Sequence, residues 1–171
     1  MGSWGIRTHD SDYGLDLLGI VEERYLRSIK FKNFYVRHIT ELLRAHIVDA
    51  FVKESNGWES HYIDFFYEYT FPYKFAEAVM IVAECFTEYR EKGKYLIHDF
   101  KSDKKRRITH FIYSCKDLKH LLTELQSVLD PKHPLCESWS ESDSFSEWQL
   151  HMKTLCSVLS EAMNEGGDEN A

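Results

Sequence analysis

Apolar positions along this chain recur mostly three and four residues apart, the period of helices. Leu15, Leu18, Val21 and Tyr25 follow that spacing after Ser11, a residue suited to capping, and Asp12, which favours the positive end of a helix. Gly14 and Gly19 weaken this first helix, so packing must hold it. Val36, Ile39, Leu43, Ile47 and Phe51 predict a second helix from about residue 33 to about residue 55, ended by Asn56-Gly57. Residues 61–69 predict a short aromatic helix, and Thr70 and Pro72 mark the start of a fourth. That fourth helix, about residues 73–91, is apolar nearly all round, with Glu77, Glu84, Glu88 and Glu91 as its polar stripe. Such a helix belongs at the centre of a bundle.

The period then shortens to two. Residues 95–100 and 108–113 alternate and are rich in β-formers, so they predict a hairpin whose tip carries Lys101, Lys104, Lys105, Arg106 and Arg107. Ser114 and Asp117 form a capping box for a helix to residue 129, stopped by Asp130-Pro131. A loop rich in Ser and Glu leads past Trp139, and Ser144 with Glu147 opens a last helix from residue 145 to about 163. The pattern as a whole predicts an α+β, mainly α chain: a single-domain helical bundle of about six helices with one β-hairpin over residues 1–164, and a disordered acidic tail over 165–171.

Composition sharpens this reading. Eleven Phe, ten Tyr and four Trp in 171 residues supply a well-packed core, with aromatic area left for a binding surface. The longest strongly apolar run, residues 78–83, is far short of the roughly 20 residues a membrane helix needs. Charged residues begin at Arg7 with no apolar stretch behind them, so no signal peptide is expected and the location follows as cytoplasmic. Cys85, Cys115, Cys136 and Cys156 match no zinc spacing and read as reduced thiols. Residues 137–171 hold eight acids and one base, Lys153, which accounts for the whole formal charge of −7. That asymmetry suits a basic partner surface, or simply a solvated helix face and a soluble tail.

Candidate chemistry is sparse. His38 and Glu41, His46 and Asp49, and His61 and Asp64 each share a helix face and have the donors of a metal site, but surface pairs of this kind are common. No metal and no cofactor is expected. His98 and His110 would face each other across a symmetric hairpin, on one face with Leu96, Phe100, Ile108 and Ile112. The basic tip has the charge to touch phosphate, yet it lacks interleaved aromatics and the chain is acidic, so direct nucleic-acid binding is not the leading expectation. Glu77 and Glu84 lie two helical turns apart; they would do acid–base work if burial raised one pKa, and otherwise line a wet stripe. No nucleophile elbow, phosphate loop or dinucleotide fingerprint occurs.

The opening Met1-Gly2-Ser3-Trp4-Gly5, followed by Asp10-Ser11-Asp12 and Leu15-Asp16, resembles the bacterial domain-of-unknown-function family 4259. The resemblance spans about the first 18 residues and rests on Gly2, Trp4, Gly5, Asp10, Asp12 and Asp16. That family carries no assigned activity, so the resemblance implies no catalytic residue. The chain as a whole looks like small accessory proteins of bacterial mobile elements, some of which inhibit nuclease defences such as CRISPR effectors.

Together these features predict a non-catalytic protein-binding module that offers Glu137, Trp139, Glu141, Asp143, Glu147 and Trp148 to a partner protein with a basic surface, a Cas nuclease being one such target (an anti-CRISPR-like role). The alternatives are a small metal-dependent or acid–base enzyme using His38, His46 and Glu84, and a nucleic-acid contact through the hairpin tip.

Overall fold

The computed structural model describes residues 5–26, 33–99 and 104–166. A 3₁₀ turn, Thr8–Asp10, leads into helix α1, Asp12–Leu26. Strand β1, Asn33–Tyr35, runs directly into α2, Val36–Glu54. Helix α3, Ser60–Phe65, continues through a π turn, Phe66–Thr70, into α4, Phe71–Lys92. Strands β2, Tyr95–Asp99, β3, Lys104–Ile108, and β4, His110–Ile112, follow. Helices α5, Cys115–Val128, α6, Pro134–Ser140, and α7, Phe145–Gly166, complete an α+β, mainly helical architecture. Among the described residues no helix is long and apolar enough to cross a membrane.

Helix α4 is central, as its sequence predicts. Every residue from Phe75 to Ala83 is buried, and α1, α2, α5, α6, α7 and β2 pack around it. The α2 stripe Val36, Ile39, Leu43, Ile47 and Phe51 is buried in full. Leu118, Leu121, Leu125 and Val128 of α5, and Trp148, Met152, Leu155, Leu159 and Ala162 of α7, close the opposite side. The capping box of α5 forms as expected: Ser114 Oγ accepts the Asp117 N–H at 3.2 Å, and Asp117 accepts the Ser114 N–H at 2.8 Å.

The chain does not break between α3 and α4 where Thr70 and Pro72 predict a boundary. Pro72 cannot donate to the carbonyl four residues back and its ring crowds that carbonyl. The wider π turn just before it relieves the conflict and keeps the chain helical. Phe66 points inward from this turn and stacks on Phe51, with centroids 3.6 Å apart. Trp58, Tyr62, Phe65, Tyr67 and Tyr69 face outward, each about half exposed.

The hairpin forms in a different register from the one predicted. Tyr95 pairs with Ile108 and Asp99 with Lys104, so Lys104, Lys105, Arg106 and Arg107 belong to a strand. Of the expected basic tip, Lys101 lies outside the described residues. Tyr95 and Ile97 are buried while Leu96 is exposed, the reverse of the expected face. Three consecutive apolar residues leave the strand's phase undetermined locally, and a one-residue slip exchanges the faces. His98 is opposite Lys105, and His110 lies in β4, so the two histidines do not face each other. β4 leaves the hairpin to pair in parallel with β1: Asn33 with His110, Phe34 with Phe111, Tyr35 with Ile112. Phe34 and Phe111 stack with centroids 4.3 Å apart, which gives this short ladder its apolar anchor.

Two further differences concern the last third of the chain. The Ser- and Glu-rich stretch before Trp139 is helix α6, started by Pro134 and capped by His133, whose Nδ1 accepts the Leu135 N–H at 3.2 Å. Glu165, read from sequence as the start of the tail, lies in α7 and takes a two-pronged hydrogen bond from Arg90 at 2.6 and 2.7 Å. Residues 167–171 lie outside the described residues.

Gly14 has a positive role that its helix propensity conceals. Any Cβ there would collide with the Thr8 carbonyl, whereas a Cβ at Gly19 meets nothing within 4 Å. Gly14→Ala should therefore destabilise the fold by about 2 kcal/mol through overpacking, and Gly19→Ala should stabilise it by about 0.5–1 kcal/mol through helix propensity. Urea denaturation of both variants beside the parent measures the opposite signs.

Candidate functional site

Glu77 and Glu84 point from α4 at adjoining parts of the same covering layer. The expected wet stripe is absent at these two positions, because the turn Thr8–Asp10, the start of α1 and helix α7 lie over them. Glu84 Oε1 accepts the Thr8 N–H at 3.0 Å, lies 3.4 Å from the Thr8 hydroxyl and sits 2.8 Å from His151 Nε2. The His151 and Glu84 side chains are only 15% and 10% exposed. This cluster clasps the 3₁₀ turn and α7 to the central helix.

Glu77 is less well provided for. It is 6% exposed, and its Oε1 lies 3.3 Å from Ser11 Oγ. That hydroxyl also donates to the Thr8 carbonyl at 2.9 Å, so its single hydrogen is shared. Among the described residues Glu77 Oε2 has no hydrogen-bond partner. Burial pushes the carboxyl up to about 7, against the opposing pull of Ser11 and of the Lys74 ammonium. Burial likewise raises the Tyr13 and Tyr73 phenols, and the charge of Glu77 adds to both shifts.

Glu77 lies in a cavity of about 760 Å³ between the 5–13 segment, the start of α4 and the α6 region. Tyr13, Tyr73 and Trp139 wall it. The Lys74 ammonium sits over the Tyr13 ring, 5.0 Å from its centroid. The exposed side chains of Glu137 and Glu141 stand at the mouth. A second cavity of about 400 Å³ lies beside the Glu84–His151 pair and is lined in part by Cys85, Thr87 and Glu88.

The sequence-predicted surface divides here. Glu137, Trp139 and Glu141 come together at the larger cavity. Asp143 and Glu147 are exposed but do not line it. Trp148 is wholly buried and stacks between Trp139 and Phe145, with centroids 5.5 and 5.9 Å away, so it cannot touch a partner. Aromatic stacking outcompetes exposure for a ring placed on the buried stripe of α7. Of the opening motif, Gly5 lines the cavity, and a Cβ there would collide with the Asp10 carboxylate that accepts the Arg7 N–H at 3.1 Å. Asp12 and Asp16 are exposed on α1. Gly2 and Trp4 lie outside the described residues.

His38, His46 and His61 are exposed on α2 and α3, and the structure does not bring His38 or His46 to Glu84. His61 approaches Glu59 at 3.3 Å. Among the described residues no three His, Cys, Asp or Glu side chains gather as a metal site. All four cysteines are free thiols, and burial raises the pKa of Cys85 to about 12.

Sequence reasoning missed His151 and the two tyrosines; it read Ser11 as the cap of α1, which it is, its Oγ accepting the Gly14 N–H at 2.9 Å, but not as a partner of Glu77. His151 had a visible sign: it falls between Trp148 and Leu155 on the buried stripe of α7, where an imidazole needs a polar partner.

Two outcomes follow from the carboxylates. A Glu77 pKa of about 7 in the folded chain lies above the usual 4.5, so the fold is favoured while Glu77 keeps its proton and loses that advantage between about pH 4.5 and pH 7. Glu77→Gln should thus gain on the parent by on the order of 3 kcal/mol between pH 5 and pH 8, read from urea midpoints at each pH; parallel pH curves would contradict the assignment. Glu84→Ala should cost about 2 kcal/mol by stranding the Thr8 N–H and His151, with the Thr8 amide showing the largest rise in hydrogen exchange. Compared with protein-family models, curated proteins and solved structures, the chain finds no match.

Proposed function

We propose that this chain is a non-catalytic binding module that docks on a basic protein surface through the mouth of its larger cavity. The observation that carries the reading is the pairing of Glu137 and Glu141 with Trp139 at that mouth. Trp139 is half-buried and held flat against Trp148 at an interplanar angle of 9°. An aromatic anchor already fixed in place loses little conformational freedom on binding, and flanking carboxylates select Lys and Arg on the partner.

A nuclease whose nucleic-acid groove is lined with Lys and Arg is the partner class this surface suits, a Cas nuclease among them. Occupying such a groove would block cleavage, which is the anti-CRISPR-like form of the proposal. Support comes from the local geometry and from the acidic balance of residues 137–171.

The test is binding and cleavage inhibition with a purified Cas nuclease. The parent chain should bind and inhibit, and Glu137→Lys with Glu141→Lys should weaken both by about a hundredfold, as for loss of two close charge pairs at an interface. Glu161→Lys with Asp49→Lys, exposed on α7 and α2 and outside the cavity lining, serves as the charge-matched control and should leave both unchanged. Equal effects of the rim and control reversals would remove the proposal.

A further inference from the structure

The larger cavity contains a feature that protein docking at its mouth does not use. Glu77 Oε2 is buried and has no hydrogen-bond partner among the described residues, while its partner oxygen shares one hydroxyl hydrogen with a backbone carbonyl. A carboxylate left this short of donors in the fold keeps its charge largely uncompensated and attracts a cation into the cavity it lines.

The surroundings decide what kind of ligand. Once Glu77 has lost its proton, above about pH 7, three carboxylates, Glu77, Glu137 and Glu141, line the cavity against two cations, Arg7 and Lys74, so an anionic ligand meets net repulsion. The Tyr13 ring already carries an ammonium on its face, that of Lys74 at 5.0 Å, which shows that the wall accepts a cation in this geometry. Tyr73 and Trp139 add two more aromatic surfaces. Aromatic faces grouped around a carboxylate fit a cation that is partly clothed in alkyl groups, because the rings attract the charge and cover the carbon. A volume of about 760 Å³ lies within the range of small-molecule sites.

We propose that this cavity binds a small organic cation of the alkylammonium class, with the Glu77 carboxylate as its counter-ion and the rings of Tyr13, Tyr73 and Trp139 around its alkyl groups. Lys74 covers the Tyr13 face in this structure and moves off it when the cation enters. The site lies inward of the docking rim and does not rest on that reading, although Trp139 belongs to both.

Isothermal titration of the full chain at pH 8, where Glu77 is ionised, with choline, with n-butylammonium and with 3,3-dimethyl-1-butanol, the neutral carbon analogue of choline, tests the proposal. At least one cation should bind about tenfold or more tightly than the alcohol. Glu77→Gln should remove that preference and leave the weak affinity for the alcohol unchanged. Lys74→Met should raise cation affinity about threefold or more, since it frees the Tyr13 face and removes a like charge. This second variant gives a readout of the site that leaves Glu77 in place. Absence of cation binding below about 10 mM, or an alcohol that binds as well as choline, overturns the site.

A peptide with one internal lysine distinguishes the two sources of an alkylammonium. Tighter Glu77-dependent binding of the peptide than of n-butylammonium assigns the cation to a protein side chain, and the reverse order assigns it to a free small molecule. A chain that binds choline through Glu77 but no nuclease refutes only the docking reading, and one that inhibits a nuclease but ignores every cation refutes only this one.

Discussion

The Glu84 carboxylate ties together segments that lie 76 residues before it and 67 residues after it. Its Oε1 accepts the Thr8 N–H and meets His151 Nε2, so one atom of the central helix aligns the 3₁₀ turn with α7. A carboxyl group beneath a packed layer is costly unless hydrogen-bond partners reach it. With them, the turn lies flat on α4, Ser11 reaches Glu77, and Gly14 comes close enough to Thr8 that no side chain fits between. The larger cavity is bounded on one side by this clasped segment and on another by Trp139, itself stacked on a ring that α7 buries. Both walls therefore depend on α4 and α7 keeping their mutual position.

The same arrangement changes the meaning of the chain's charge. In the sequence the acids of residues 137–171 read as one block. In the fold they serve separate ends. Glu137 and Glu141 face the cavity, Glu161 accepts from Ser157 at 2.9 Å, and Glu165 is held by Arg90 on α4. What remains for a partner at any one place is a pair of carboxylates beside an indole. Two charges of this kind steer and select more than they bind, and the fixed ring has to supply the anchor.

Much of the helical architecture was legible from periodicity. The stripe of α2 is long and unbroken, and its five apolar positions are all buried, while α4, apolar nearly all round, is buried without a break from Phe75 to Ala83. The strands were harder, because Tyr95, Leu96 and Ile97 are all apolar and only the neighbouring elements choose which of them faces inward. Pairing of β1 with β4 had no local sign at all, since three residues carry too little pattern to name a distant partner. Half of the candidate surface was readable: composition placed acids and tryptophans together, but it could not separate Trp139, at the cavity, from Trp148, in the core. Glu77 and Glu84 stood out as carboxylates on an apolar helix, yet the layer covering them comes from residues whose own sequence reads as a loop, a cap and a helix stripe. Burial of those acids is a tertiary property, and one-dimensional pattern has no access to it.

The parallel ladder of β1 and β4 bears on how the chain is made. β1 directly precedes α2, but the strand it pairs with is 77 residues further along. During synthesis Phe34 cannot stack on Phe111 until that residue has left the ribosome, and Thr8 waits longer still for α7. Contacts of such high sequence separation close late and slow folding. The first third of the nascent protein thus spends its longest interval with apolar surface uncovered, and chaperone capture would concentrate there.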